Sequence, residues 1–221
     1  MPTQTRPTID FRPISVPSAR AVTRTLRIDS DVESRIEQLA EKEGVSFNLL
    51  ANRSLRKLVE WEATAEKFGF CQVPLHSLER VFGLLSENQS RDLGREAGKN
   101  MMQELILFWF KKFDREAALA LLAMSAKYAR LFKLERTTDG SSDTVVLKHD
   151  RGRNASAYYS ELLRTLFNSL NLDVKTQETE GQVIAQIPLS GVAPRVPNGN
   201  GGTGRKLGVL RTTMPELTVT S

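Results

Sequence analysis

The sequence predicts an α+β protein built from two domains between irregular ends. A polar–apolar alternation over residues 22–29 leads directly into two helical patterns that end near residue 67, which indicates one short strand and two helices. Residues 68–188 then combine longer helical patterns with runs typical of strands, four of which pair off as two β-hairpins. We therefore expect a small module of residues 22–67 followed by a helix-rich α+β domain of residues 68–188.

Both ends of the chain are predicted to be disordered. Residues 1–21 contain four prolines among polar residues and form a disordered arm, while glycine and proline within residues 189–221 indicate a basic, disordered tail. The formal net charge of +5 lies in these ends, with +2 in residues 1–23 and +3 in residues 189–221. The central part of the chain is neutral, so only a motif can indicate a nucleic-acid partner.

The composition excludes several classes of protein. The one cysteine, Cys71, cannot form an internal disulfide and is expected to be a small buried apolar residue; no metal or cofactor is expected. The longest dense apolar run, Leu105–Phe110, falls far below the roughly 20 residues of a membrane helix and is expected to belong to the core. The N-terminal residues lack a secretory signal pattern. We therefore predict a cytoplasmic protein without membrane contact.

The segment Val22–Asp29 has the pattern of a half-buried strand, with Leu26 and Ile28 on one face. The side chains on the opposite face are those of Thr23, Thr25 and Arg27. A single strand leaves its backbone donors and acceptors without partners, and no second strand lies nearby in this module. We therefore expect two chains to pair their strands in an antiparallel homodimer.

Two helices are predicted after this strand. Ser30 and Glu33 have the spacing of a capping box, and Gly44 provides the residue that ends the first helix. Ser46 is placed to cap the second helix, which continues toward Lys67.

This order of elements, in the residues TRTLRIDSDVESRIEQLAEKEGVSFNLLANRSLRKLVEW, closely resembles the ribbon-helix-helix repressors over about 40 of the 221 residues. The resemblance implies a dimer whose two-stranded ribbon enters the major groove of DNA. Thr23, Thr25 and Arg27 would then contact bases, with Arg27 best suited to guanine. Arg24 stands where the family usually has an apolar residue, so we assign it to a phosphate or to the ribbon edge.

The family also clamps a DNA phosphate with the N-terminus of its second helix. That position falls here on Ser46, Phe47 and Asn48, where free amides and the positive helix end favour an anion. The alternative is that Arg27 is merely solvated and the module serves only to dimerise.

The second domain is predicted to contain one isolated strand, four helices and two hairpins. The expected elements in chain order are Phe70–Val73, Leu75–Leu85, Ser90–Phe110, Asp114–Leu131, Phe132–Arg136, Thr144–His149, Asn154–Leu170, Leu172–Gln177 and Gln182–Ile187.

The part VVLKHDRGRNASAYYSELLRTLFNSLNLDVKTQETEGQVIAQI resembles 4-vinyl reductase-type sensor domains and their heme-nitric-oxide-binding-associated relatives, with a coverage of about 110 residues. The resemblance implies a small hydrophobic ligand or a protein partner for this domain. The cysteine-rich hairpin common in these domains is absent, so no metal is implied. The pairing of the two domains is also similar to archaeal proteins.

A charged cluster at the junction of a strand and a helix allows two interpretations. His149, Asp150, Arg151 and Arg153 would suit a catalytic or an anion-binding site. The favoured interpretation is turn chemistry, with Asp150 or Asn154 capping the helix.

Two functions from different classes follow. The first is a dimeric, sequence-specific transcriptional regulator whose C-terminal domain senses a ligand or partner. The second is an antitoxin-like or scaffold protein that uses the N-terminal module for dimerisation. An enzyme is not expected, since the sequence lacks a nucleophile–base pair, a phosphate loop and metal-ligand spacing.

Overall fold

The computed structural model describes residues 22–190 and has an α+β fold. The predicted arm of residues 1–21 and the predicted tail beyond residue 190 lie outside the described residues. The α-helices are α1 Ser30–Glu43, α2 Phe47–Lys57, α3 Ala63–Lys67, α4 Leu75–Leu84, α5 Glu87–Lys99, α6 Met101–Phe110, α7 Arg115–Met124 and α8 Gly152–Asn168. π-helical turns occur at Leu58–Glu62 and Ser125–Ala129. The strands are β1 Lys133–Thr138, β2 Ser142–Lys148, β3 Lys175–Glu178 and β4 Gln182–Pro188.

The first two helices form as local signals predict. Gly44 ends α1 in the left-handed conformation, with φ of 65°. The Ser46 hydroxyl caps α2 by accepting a hydrogen bond from the Leu49 amide at 3.2 Å. The capping box at Ser30 is wrong, because α1 begins at Ser30 itself and its N-cap is Asp29. Ser30 has therefore already entered the helix and cannot provide the extended N-cap backbone.

Residues 22–29 form neither helix nor strand in the single chain, and all eight are exposed. A β-ladder requires a second strand to accept and donate its hydrogen bonds. The ribbon therefore stays a prediction about two chains.

The C-terminal domain contains one four-stranded antiparallel sheet of order β1-β2-β4-β3, and both predicted hairpins are confirmed. In the first hairpin turn the Asp139 carboxylate accepts hydrogen bonds from the amides of Ser141 at 3.0 Å and Ser142 at 2.8 Å. Alternate residues of the two central strands point into the core, where Val145 faces Ala185 and the exposed fraction of each is at most 1%.

Three details differ from the sequence-based expectation. The predicted strand Phe70–Val73 is irregular, since it has no neighbour to pair with, and Cys71 within it is exposed rather than buried. The predicted long helix Ser90–Phe110 is divided between α5 and α6 at Asn100, whose φ of −112° and ψ of −74° depart from helical values.

Helix α8 lies at the centre of the domain, where it packs against the sheet on one side and α5 on the other. Nine of its residues are buried, which explains why its sequence is apolar or small around much of its circumference. The crossing with α5 is close because Gly94 and Gly98 lie against the α8 backbone. The run Leu105–Phe110, predicted to belong to the core, does so in part: Leu105 and Ile106 are 4% and 0% exposed, whereas Leu107 is 48% exposed.

Asp143 of β2 is a buried carboxylate at one end of the sheet, with an exposed fraction of 0%. It accepts hydrogen bonds from Arg136 at 2.7 Å, from Thr138 at 2.5 Å, and from Arg115. Burial alone would raise the pKa of Asp143, but the hydrogen bonds from Arg136 and Thr138 and the charges of Arg136 and Arg115 lower it below its ordinary value.

We expect Asp143→Asn to destabilise the fold by about 3 kcal/mol at neutral pH, because two guanidinium groups lose their shared counter-ion. The native carboxylate has a lowered pKa in the folded state, so its contribution is present above its ordinary pKa and disappears as pH falls through the folded value. Urea unfolding of the native protein and of Asp143→Asn at several pH values should show that the difference between their free energies of unfolding becomes smaller as the pH falls. Asp92→Asn, at an exposed ion pair, is the control and should change stability little. A difference that stays constant with pH would contradict the assignment.

Candidate nucleic-acid interface

The four side chains predicted to contact DNA from the ribbon all lie in the exposed segment that precedes α1. They are Thr23, Arg24, Thr25 and Arg27. Their backbone has no regular structure in one chain, so the structure neither brings them together on one face nor separates them.

The residues of the predicted phosphate clamp lie at the start of α2. Ser46 is the N-cap and turns its hydroxyl to the Leu49 amide, while the Ser46 carbonyl accepts from the amides of Leu49 and Leu50. The amides of Phe47 and Asn48 donate no hydrogen bond to another described residue. No acidic residue occupies the first turn of α2, so its positive end is not neutralised locally. This arrangement is able to bind an anion.

The two N-terminal helices expose an extended apolar surface. Within α1 the one buried residue is Ala40, and α2 has none. The large apolar side chains that remain at least 40% exposed in residues 22–59 are Val22, Leu26, Ile28, Val32, Leu39, Leu49, Leu55, Leu58 and Val59. Isolated helices of this length are marginal in water, and they gain most of their stability from covering an apolar face.

The second helix is joined to the C-terminal domain by a cluster of aromatic rings. Trp61, with an exposed fraction of 7%, lies 5.3 Å from Trp109, 5.6 Å from Phe70 and 6.2 Å from Tyr128, measured between ring centroids. The sequence reasoning missed this contact, because the four rings come from four separate segments.

The π-helical turn Leu58–Glu62 makes polar contacts at the same junction. The Trp109 indole donates a hydrogen bond to the Glu60 carbonyl at 3.2 Å. The Glu60 carboxylate accepts from Tyr128, from Lys127 at 3.3 Å, and from Arg56 at 2.8 Å. Tyr128 and Lys127 lie in the second π-helical turn, so two such turns face each other through Glu60. π-helical turns are rare and frequently occur at functional sites.

His149 in the C-terminal domain forms a buried polar chain. The Arg151 amide donates to His149 Nδ1 at 3.1 Å, so the proton of the neutral ring is on Nε2 and is donated to Ser156 Oγ at 3.0 Å. Ser156 in turn donates to the Thr179 carbonyl at 2.6 Å. Burial lowers the pKa of His149 to about 4, and the charge of Arg151 acts in the same direction. In this arrangement His149 is a donor to Ser156 and does not act as its base.

The predicted capping of α8 by Asp150 or Asn154 is wrong. No side chain of residues 22–190 caps the N-terminus of α8. Asn154 instead donates to the carbonyls of Phe82 at 3.1 Å and Leu85 at 2.7 Å, and so satisfies the last turn of α4. Asp150 is exposed, with φ of 51°, at the mouth of a cleft.

No protein-family model, curated protein or solved structure significantly matches this chain. Both resemblances drawn from the sequence therefore stay predictions. Within residues 22–190 no helix is long and apolar enough to cross a membrane. In the same part of the chain, His, Cys, Asp and Glu side chains form no group of three or more that could hold a metal ion.

Proposed function

We propose that this protein is a dimeric, sequence-specific DNA-binding regulator of the ribbon-helix-helix type, whose C-terminal domain senses a ligand. Two chains pair their residues 22–29 as an antiparallel ribbon, and the ribbon inserts into the major groove of double-stranded DNA.

The observation that carries this proposal is the apolar surface of the N-terminal module. The exposed face includes Leu26 and Ile28 from the unpaired segment and continues over α1 and α2. A second copy of the chain covers this face and supplies the missing β-ladder at the same time, because an antiparallel strand pair is symmetric about a two-fold axis. A different protein would have to satisfy both needs with an unrelated surface.

The polar groups of the same module suit DNA. If Leu26 and Ile28 turn into the dimer core, strand alternation turns Thr23, Thr25 and Arg27 outward together. The unpaired amides of Phe47 and Asn48 then suit a backbone phosphate on either side of the groove.

The aromatic junction supports a regulatory role for the C-terminal domain. Because Trp61 and Glu60 contact Trp109, Tyr128 and Lys127, a shift of these residues in the C-terminal domain bears directly on the helix that follows the phosphate clamp. A ligand that favours one arrangement of the junction would change the geometry of the DNA-binding dimer.

Selection of bound oligonucleotides from a random pool should yield pseudo-palindromic half-sites. We expect Arg27→Ala to relax the preference at one base pair in each half-site by roughly tenfold to a hundredfold, because a bidentate contact to guanine is lost. Fluorescence anisotropy with matched duplexes that differ at that pair measures the change.

Arg35→Ala provides the matched control, since Arg35 is an exposed arginine on α1 and its loss removes the same charge. This variant should lower affinity for all duplexes to a similar, small degree and leave the preference intact. An unchanged preference in Arg27→Ala would contradict the ribbon-in-groove arrangement. A stable dimer with no affinity for any duplex would favour the antitoxin-like or scaffold function instead.

A further inference from the structure

The C-terminal domain contains a cleft of about 880 Å³ between α4, the start of α8 and the turn that joins β3 to β4. Its lining residues are His76, Glu79, Arg80, Gly83, Asp150, Arg151, Gly152, Glu180 and Gly181. Of the charged lining residues only Arg151 is buried, with an exposed fraction of 7%; His76, Glu79, Arg80, Asp150 and Glu180 are exposed. The cleft thus has a cationic floor and a charged mouth.

Arg151 is buried, and among residues 22–190 its guanidinium has no counter-ion. No carboxylate of the described residues lies within salt-bridge distance of Arg151, and its side chain makes one hydrogen bond, from Nη1 to the Tyr159 hydroxyl at 3.3 Å. Neither Tyr159 nor His149 balances the charge. Burial raises the pKa of Tyr159, which keeps the phenol neutral, and His149 is a neutral donor to Ser156. Buried arginines are almost always paired, because an unpaired charge is costly to remove from water.

The backbone beside Arg151 also favours the binding of an anion. Helix α8 is 17 residues long, begins at Gly152 and has no side-chain cap. The amides of its first turn are therefore available to a ligand, and the helix dipole adds a partial positive charge there. Gly152, which lines the cleft, has φ of 79°, a conformation in which glycine brings its amide close to a bound group.

The mouth of the cleft has the opposite electrostatic character. Glu79, Asp150 and Glu180 outnumber the one arginine there, Arg80. A dianion such as phosphate would meet these carboxylates as it enters. A ligand whose carboxylate reaches the floor and whose ammonium group stays at the mouth matches both parts of the cleft.

We propose that this cleft binds a free amino acid, with its carboxylate on Arg151 and the first amides of α8 and its ammonium group beside Glu79 and Glu180. The amino acid would be the ligand that the C-terminal domain senses, so the biological role of this site rests on the proposed function. Binding itself does not require DNA, so it is tested on the full-length protein alone.

Isothermal titration with each common amino acid in turn should identify one or more that bind. Acetate and ethylammonium, which each carry one of the two charges, should bind far more weakly, and so should inorganic phosphate. Arg151→Gln should weaken binding of the amino acid by roughly tenfold to a hundredfold. Arg164→Gln, an exposed arginine further along the same helix, should leave binding unchanged.

The double variant Glu79→Gln, Glu180→Gln tests whether the carboxylates at the mouth bind the ammonium group. Both residues are exposed, so this variant still tests the proposal if Arg151→Gln fails to fold. The double variant should bind the amino acid more weakly and acetate more tightly than the native protein. Phosphate binding as tightly as the best amino acid would overturn the proposal and indicate a general anion site. No binding of any amino acid, or binding that neither variant changes, would also overturn it. In every case oligonucleotide binding by the same preparation reports separately on the DNA-binding function.

Discussion

Gly94→Ala is expected to destabilise the C-terminal domain by about 3 kcal/mol or more, a large part of the stability of an ordinary domain. A Cβ atom at Gly94 would lie less than 3.0 Å from the Tyr158 carbonyl oxygen, and one at Gly98 would lie 2.6 Å from the Leu162 carbonyl oxygen. Both neighbours are backbone atoms of α8, so relief requires the two helices to separate. Separation opens the centre of the core, where Leu163 and Leu166 are fully buried.

Urea unfolding followed by circular dichroism measures this loss. Gly83→Ala is the matched control, because Gly83 lies in α4, has no positive φ, and would place its new methyl group more than 4 Å from any atom beyond its own helix. The same substitution there should stabilise the protein by about 0.5 kcal/mol through the lower entropy of the unfolded chain. Equal stability of the two variants would show that α5 and α8 do not approach as closely as described.

Leu26→Glu is expected to convert the protein to a monomer and to weaken DNA binding at least a hundredfold. Leu26 has an exposed fraction of 63% in the single chain, so the change should leave the C-terminal domain folded. In the proposed dimer the same side chain is in the shared core, and each dimer would bury two carboxylates without partners. Light scattering after size-exclusion chromatography measures the mass, and fluorescence anisotropy measures duplex binding.

Thr25→Glu separates dimerisation from DNA binding. In the proposed ribbon Thr25 is adjacent to Leu26 but on the opposite face, so a carboxylate at this position would meet DNA phosphates and not the dimer core. This variant should stay dimeric and lose DNA binding. If Leu26→Glu remained a dimer, the chains would associate through another surface and the ribbon would be wrong.

Local signals predicted the ends of many elements. Gly44 ends α1 and Ser46 caps α2, as their residue types indicate. In each case the hydrogen bonds join groups only a few residues apart, so the sequence contains all the participants. The capping prediction at Ser30 failed by a single residue, which is the usual uncertainty where an extended backbone becomes helical.

The candidate DNA-binding residues followed from the resemblance to ribbon-helix-helix repressors, and the start of α2 is the part of that prediction whose backbone geometry the structure describes. Within the described part of the chain the amides of Phe47 and Asn48 donate no hydrogen bond, as is typical of a helix N-terminus. A single chain cannot show the proposed ribbon, because its hydrogen-bond partners would belong to a second copy. The spacing of Ser90, Gly94 and Gly98, each four residues apart, was a visible signal of close helix packing that the sequence reasoning did not use.

The sequence by itself determined most of the periodic elements, the end of α1, the cap of α2, the two hairpins and the alternation that gives the sheet a buried face. Only the tertiary structure decided that Asn154 completes α4 rather than α8 and that Trp61 joins the N-terminal helices to the C-terminal domain. It also decided that Arg151 is buried with no counter-ion among the described residues. Caps and turns follow from groups within a few residues of one another. Packing partners and unbalanced charges depend on which distant segments meet, and their energies exist only once the chain has folded.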